Sequence, residues 1–306
     1  EIDNSFSVCT KLVKLTVPFV GNKLDGTSNV HFGYIFGASS YSEYSKVPAS
    51  LREVIVTGEV SIGNSAFYSC SKLTTITLPN VTSIGNYAFS SCSVLTTITL
   101  PNVASIGNYA FSYCRGLTTI TLPNVTSIGD RAFYDCNVLT TISLPNVTSI
   151  GIYAFYQCSK LTEISLPKVT SIGNSAFIGC SALSSITLHS NVISITNYAF
   201  QDCSVLTIYV EASSKPTGWN TDWNLSGRPV IWGCTLSEDK SYVVSFTKTA
   251  SSISNPTATN GISAPYREGY TFGGWATVEG GAAEYMAANV NSATNDTVLY
   301  AIWIKD

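Results

Sequence analysis

The chain has 306 residues, of which only 11% are charged, and its formal net charge is −3. So sparse and slightly acidic a balance excludes the clustered Lys and Arg face that nucleic acid demands. Nowhere do roughly 18 apolar residues run together, so no segment reads as a membrane-spanning helix.

Taken in chain order, Phe6, Cys9, Leu12, Leu15 and Val17, followed by Pro18, set a pattern that returns later. Residues 19–50, rich in Gly, Ser and Tyr and carrying Tyr34, Phe36, Tyr41 and Tyr44, read as an expanded return loop before a strand at 51–56. From Ser61 the segment SIGNSAFYSCSKLTTITLPNVT recurs every 22 residues. Ile62, Ile84, Ile106, Ile128, Ile150 and Ile172 mark the register, and Ile195 follows after one inserted residue. Phe67, Phe89, Phe111, Phe133, Phe155, Phe177 and Phe200 share a second position.

Within one repeat, Leu73, Ile76 and Leu78 with β-branched Thr between them predict a short strand. Pro79 ends it, because proline cannot donate to a ladder. Asn80 and Gly85 support turns, and Ala66-Phe67 reads as a single helical or 3₁₀ turn. Each repeat is one coil of a β-rich solenoid. A coil alone buries too little to offset the entropy of ordering it, so coils must stack. An irregular last strand at 206–210 and a Pro216, Trp219, Trp223 and Trp232 cap close a first domain at 1–235. The repeat is then gone. A second domain, 236–306, predicts strands near 242–246, 269–275 and 297–303.

The pattern IGxxAFxxCxxLxxIxLP, as it stands from Ile62 to Pro79, resembles the BspA-type leucine-rich repeat of bacterial surface proteins. The likeness covers about residues 5–235, including Tyr34-Ile-Phe-Gly37 in the long coil. Pro265-Tyr-Arg267-Glu-Gly269-Tyr270-Thr-Phe272-Gly-Gly274-Trp275, with Leu299-Tyr300-Ala301-Ile-Trp303, resembles the Listeria–Bacteroides repeat domain. These resemblances imply a leucine-rich repeat array of 22–23-residue coils followed by a small β-grasp-like α+β domain. They also imply a secreted or cell-surface bacterial setting and adhesin-like binding of host matrix proteins or other bacteria. A start at Glu1 rather than Met fits a processed product, and no LPxTG-like sorting signal explains attachment.

Chemistry-bearing groups are few. Eight of the nine cysteines, Cys9, Cys70, Cys92, Cys114, Cys136, Cys158, Cys180 and Cys203, occupy one repeat position, and Cys234 stands apart. Parallel side chains on stacked coils rarely reach disulfide torsions, so a reduced column of small buried hydrophobes is expected. His31 and His189 provide no acid–base pair, and no metal or cofactor is expected. Ser69-x-x-Lys72 matches a serine–lysine spacing but sits inside the repeat. The acids Asp130, Asp135, Glu163 and Asp202 read as solvated surface, and the sequons at Asn80, Asn124, Asn146, Asn224 and Asn295 as turn residues.

What remains for function is surface. Outward strand positions form a hydroxyl ladder, Thr75, Thr97, Thr119 and Thr141, continued by Glu163. Tyr87, Tyr109, Tyr153 and Tyr198 share one loop position, and Tyr68, Tyr134 and Tyr156 another. Tyr is a favoured interface anchor, although Thr in strands and Tyr over coil edges also have structural uses. The leading expectation is a non-enzymatic interaction module for a protein or carbohydrate, possessing no nucleic-acid or membrane-inserting role. The alternatives are a structural spacer that displays another domain and, more remotely, an enzyme.

Overall fold

The structure, a computed structural model, describes residues 6–24, 31–238, 242–255 and 261–306. Residues 25–30 of the expected loop lie outside the described residues. Each coil places one strand in each of two parallel faces. The front face runs through Lys14–Val17, Glu53–Val56, Thr75–Thr77, Thr97–Thr99, Thr119–Thr121, Thr141–Ser143, Glu163–Ser165, Ser185–Leu188 and Thr207–Val210. Two-residue back strands, from Ser61–Ile62 to Ser194–Ile195, make one seven-stranded sheet. Equivalent residues pair directly, Thr75 with Thr97 and Ile76 with Ile98. The front ladder is interrupted twice, after Thr97–Thr99 and after Glu163–Ser165. Alternation does what the sequence predicts: Ile76, Ile98, Ile120, Ile142 and Ile164 are buried, and the flanking Thr and Ser point outward.

The return segment, expected as a single helical or 3₁₀ turn, takes a less regular form. It is a run of turns with two left-handed residues per coil, such as Ser65 and Ser69 at φ 56° and 54°. This backbone aims its N–H groups sideways. Ser65, Phe67 and Ser69 donate to the carbonyls of Asn86, Ala88 and Ser90 in the next coil at 2.8, 2.7 and 2.8 Å. The alternate N–H groups, those of Ala66, Tyr68 and Cys70, bond three residues back to Gly63 O, Ser65 O and Phe67 O, so the segment is tied both within itself and to the next coil. Coils approach so closely that a Cβ on Gly85 would lie 2.8 Å from the backbone of Gly63 and Asn64.

The phenylalanine column fills the core. From Phe67 to Phe200 the ring centroids lie 5.2–5.6 Å apart and the planes tilt by at most 12°. At the N-terminal end the loop contributes a 3₁₀ helix, Phe32–Phe36. Its Phe32 extends the column, 4.9 Å from Phe67, while Phe36 meets Phe6 at 6.1 Å. At the other end Trp223 stands edge-on to Phe200, backed by Trp219 and Trp232. Trp219 Nε1 donates to Val192 O at 2.8 Å, so the indole is bonded as well as packed.

The last coil strand, Thr207–Val210, pairs in register with Ser185–Leu188, and Val230–Ile231 adds to it. An antiparallel strand from the second domain, Ile253–Ser254, then covers Val230–Ile231. That domain is a four-stranded antiparallel sheet in the order Cys234–Leu236, Val243–Lys248, Thr297–Lys305, Tyr270–Ala276. A 3₁₀ helix, Ala287–Ser292, is its helical element among the described residues. The boundary expected after residue 235 falls inside the strand Cys234–Leu236. Trp275, Phe246, Val290 and Leu299 build its core together with Tyr209 and Ile231 of the solenoid.

Because each Phe supports both neighbours, Phe133→Ala is expected to lower the unfolding free energy by about 3–5 kcal/mol. Phe6→Ala, at the half-buried end, should cost less. Paired denaturant titrations check the order, and an equal loss at both sites would contradict it.

Candidate functional site

The tyrosines at the first left-handed position come together as a ridge along the return edge. Tyr87 and Tyr109 stack at 4.5 Å with planes 10° apart. Arg131, which occupies the same position one coil later, bridges the gap: its guanidinium lies 5.3 Å from the Tyr109 ring and 4.7 Å from that of Tyr153. Tyr153 meets Tyr156, Tyr156 stacks on Tyr134 at 4.5 Å, and Tyr134 meets Tyr113. Arg115 lies over Tyr113 and pairs with Asp135. Sequence reasoning missed Arg131, Tyr113 and Arg115, although the 22-residue phase puts Arg131 in line with Tyr109 and Tyr153. Tyr198 is not part of this chain of contacts, since Ser175 separates it from Tyr153 in the column.

Tyr87 and Tyr113 are 40% and 39% exposed. Burial first, and the neighbouring ring second, pushes the Tyr87 and Tyr134 phenols up from their ordinary value. The backbone beneath is unusual, with Tyr87, Tyr109, Tyr113, Arg131 and Tyr153 at φ between 54° and 60°. A left-handed L-residue costs roughly 1–2 kcal/mol. The ridge is therefore held at some expense.

The threonines stand on a different face from the tyrosines. Thr97, Thr119 and Thr141 are open and Thr75 is half-buried. Further along, the second domain covers the front face. Ser263 N and Oγ donate to Thr207 Oγ1 and Val205 O at 2.7 and 2.8 Å, and Tyr209 OH donates to Ser263 O. Tyr266 faces Glu163, and burial followed by that carboxylate holds its phenol well above the ordinary range. Glu163 is thus half-buried and engaged by the chain's own second domain.

Elsewhere the reactive groups are occupied. Ser69, Cys70 and Lys72 line a hollow of about 280 Å³ under Tyr44 and Val47, with no hydrogen bond joining Ser69 to Lys72 among the described residues. Among those residues no three His, Cys, Asp or Glu converge, and no helix is long and apolar enough to cross a membrane. The Asn80, Asn124 and Asn146 amides donate to the preceding coil, to Thr57 O, Pro101 O and Pro123 O, at 2.6–2.8 Å. Each thiol from Cys92 to Cys203 donates to a phenylalanine carbonyl of the preceding coil at 3.1–3.2 Å.

Burial pushes the Cys92, Cys136 and Cys234 thiols up to about 12. Ellman's reagent at pH 8 is therefore expected to find the half-buried Cys9 in the native chain and all nine thiols in denaturant. The shift also has a sign for stability. Raised folded values leave the column's contribution complete below the ordinary value of 9.0 and remove it as the pH climbs toward about 12. A Cys92→Ala/Cys136→Ala variant should flatten that alkaline slope in denaturant midpoints.

Residues 60–146 and 104–218 match the BspA type leucine rich repeat region in six copies, about half of the chain, and residues 239–302 match the Listeria-Bacteroides repeat domain. No curated protein matches. Among solved structures, a leucine rich cell surface protein from Faecalibacterium prausnitzii is 26% identical with a TM-score of 0.47, over 65% of this chain and 64% of that one. The T. pallidum leucine rich repeat protein is 28% identical with a TM-score of 0.36, over 43% and 77%. A leucine-rich repeat protein from Bacteroides ovatus is 23% identical with a TM-score of 0.40, over 61% and 63%. The chain thus spans less than two thirds of the length of the Faecalibacterium protein. It belongs to the BspA-type leucine-rich repeat family found in bacterial surface proteins, and it carries a Listeria-Bacteroides repeat domain after the repeats.

Proposed function

We propose that the chain is a non-enzymatic, adhesin-like interaction module, secreted or displayed on a bacterial surface, that binds a protein partner through the tyrosine–arginine ridge. The observation that carries this reading is the continuous run of rings and guanidinium groups from Tyr87 through Arg131 and Tyr153 to Tyr113. Tyr and Arg dominate the energetics of protein interfaces, because large, stiff side chains bury area at little entropic expense. Here stacking has already fixed the rotamers, so less freedom is lost on binding. The family's setting supports the same reading.

A panel of immobilised extracellular-matrix proteins tests it. Saturable binding is expected, and Tyr87→Ala/Tyr109→Ala/Tyr153→Ala should weaken it by at least about 2 kcal/mol, roughly thirtyfold. Tyr198→Ala, outside the ridge, should leave it unchanged. Binding that ignores the triple variant would remove the ridge from consideration.

A further inference from the structure

Where the second domain overhangs the front face, the two enclose a cleft of about 820 Å³. That lies within the range of small-ligand sites, roughly 300–1,000 Å³. Its charges cancel, Lys168 and Arg267 against Glu238 and Glu268. The balance gives the cleft no net attraction for either an anionic or a cationic ligand. The lining is neither bare hydrocarbon nor a charged patch. It mixes tyrosine rings with hydroxyls and the amide of Asn191.

Arg267 is the unusual member. Its guanidinium lies 4.0 Å from the Tyr242 ring centroid and 3.5 Å from that of Tyr270. Rings therefore fix the group, and its N–H donors meet no protein acceptor among the described residues. The Asn191 side-chain amide is likewise unbonded among them. A fixed planar fork of donors fits a pair of neighbouring oxygens. In a cleft of zero net charge, those oxygens are best supplied by vicinal hydroxyls, whose own protons Glu238 and Glu268 accept. The cleft also continues. A second hollow of about 360 Å³ shares Ser143, Ser165, Tyr266 and Glu268 with it and extends along Thr119, Thr121 and Thr141.

We propose that this interdomain cleft binds a neutral oligosaccharide, gripped by Arg267 and Asn191 and extending along the threonine face. The site is separate from the ridge proposed for protein binding, and it adds dispersed hydroxyls to its own tyrosine–arginine stack.

The test is titration of the full chain with maltotriose, cellotriose, mannotriose and chitotriose, followed by saturation-transfer NMR and calorimetry, with 3′-sialyllactose as the charged control. At least one neutral sugar is expected to saturate. Arg267→Lys keeps the charge but loses the fork, and should weaken it about tenfold. Asn191→Ala should weaken it as well, and thermal melts confirm that both variants are folded. Tyr87→Ala/Tyr109→Ala should bind sugar unchanged, so the ridge and the cleft stand or fall separately. Silence on all four neutral sugars overturns the proposal. So does binding of 3′-sialyllactose alone, or sugar binding that folded Arg267→Lys and Asn191→Ala retain in full.

Discussion

Backbone N–H groups in each return segment find their acceptors in the next coil, as Phe67 does with Ala88 and Phe89 with Ala110. Those sideways bonds, together with the parallel pairing of front and back strands, lock neighbours at a 22-residue offset. Every column in the molecule follows from that lock. Phenylalanine rings stack because their coils are held at one spacing, and thiols reach the carbonyl of the coil before for the same reason. It also leaves two open ends, because the terminal coils have neighbours on one side only. The C-terminal end is closed by three tryptophans and by the antiparallel strand Ile253–Ser254. The second domain is thus part of the closure, and Tyr209 of the last coil strand packs into its core, 6.4 Å from the Trp275 ring.

The same lock explains why the ridge is informative. A left-handed residue is required at the position of Tyr87, and Gly, Asn or Asp adopt that conformation most cheaply. Coils at either side use Ser65 and Ser175 there, yet the central coils use Tyr87, Tyr109, Arg131 and Tyr153. Backbone economy does not select large rings. What they offer is a half-exposed row of stacked side chains on a backbone hydrogen-bonded from coil to coil. The front face offers a different resource, small hydroxyls at regular spacing, ending under the overhang of Tyr266.

Much of this was legible in the sequence. Period, strand position, core columns and the tryptophan cap follow from alternation and from proline and glycine placement, which are local signals. The thiol column was legible too, because one repeat position must share one environment. The left-handed turns were not: Ser65 and Tyr87 carry no glycine signature, so a short helical or 3₁₀ turn was the natural expectation for Ala66-Phe67. Nor was the fate of Glu163, whose partner Tyr266 lies about a hundred residues away and arrives only when the second domain folds back. Arg131 shows an intermediate case. Its phase placed it in the tyrosine column, but its bridging role depends on the reach of a long side chain between two rings.

Gly85, Gly107, Gly129, Gly151 and Gly173 each sit against the backbone of the coil before, so the central coils present nearly the same two faces to one another. Coils with equivalent faces are interchangeable. An insertion or deletion of a whole 22-residue unit between them would rebuild every contact at the junction, whereas any other length must place its extra residues outside the paired strands, as the 23-residue step from Ile172 to Ile195 does. Such chains can lengthen or shorten by recombination between near-identical stretches of gene without a folding penalty at the seam. The two ends, with the inserted loop at one and the cleft at the other, would keep their own chemistry while the span between them changes in fixed steps.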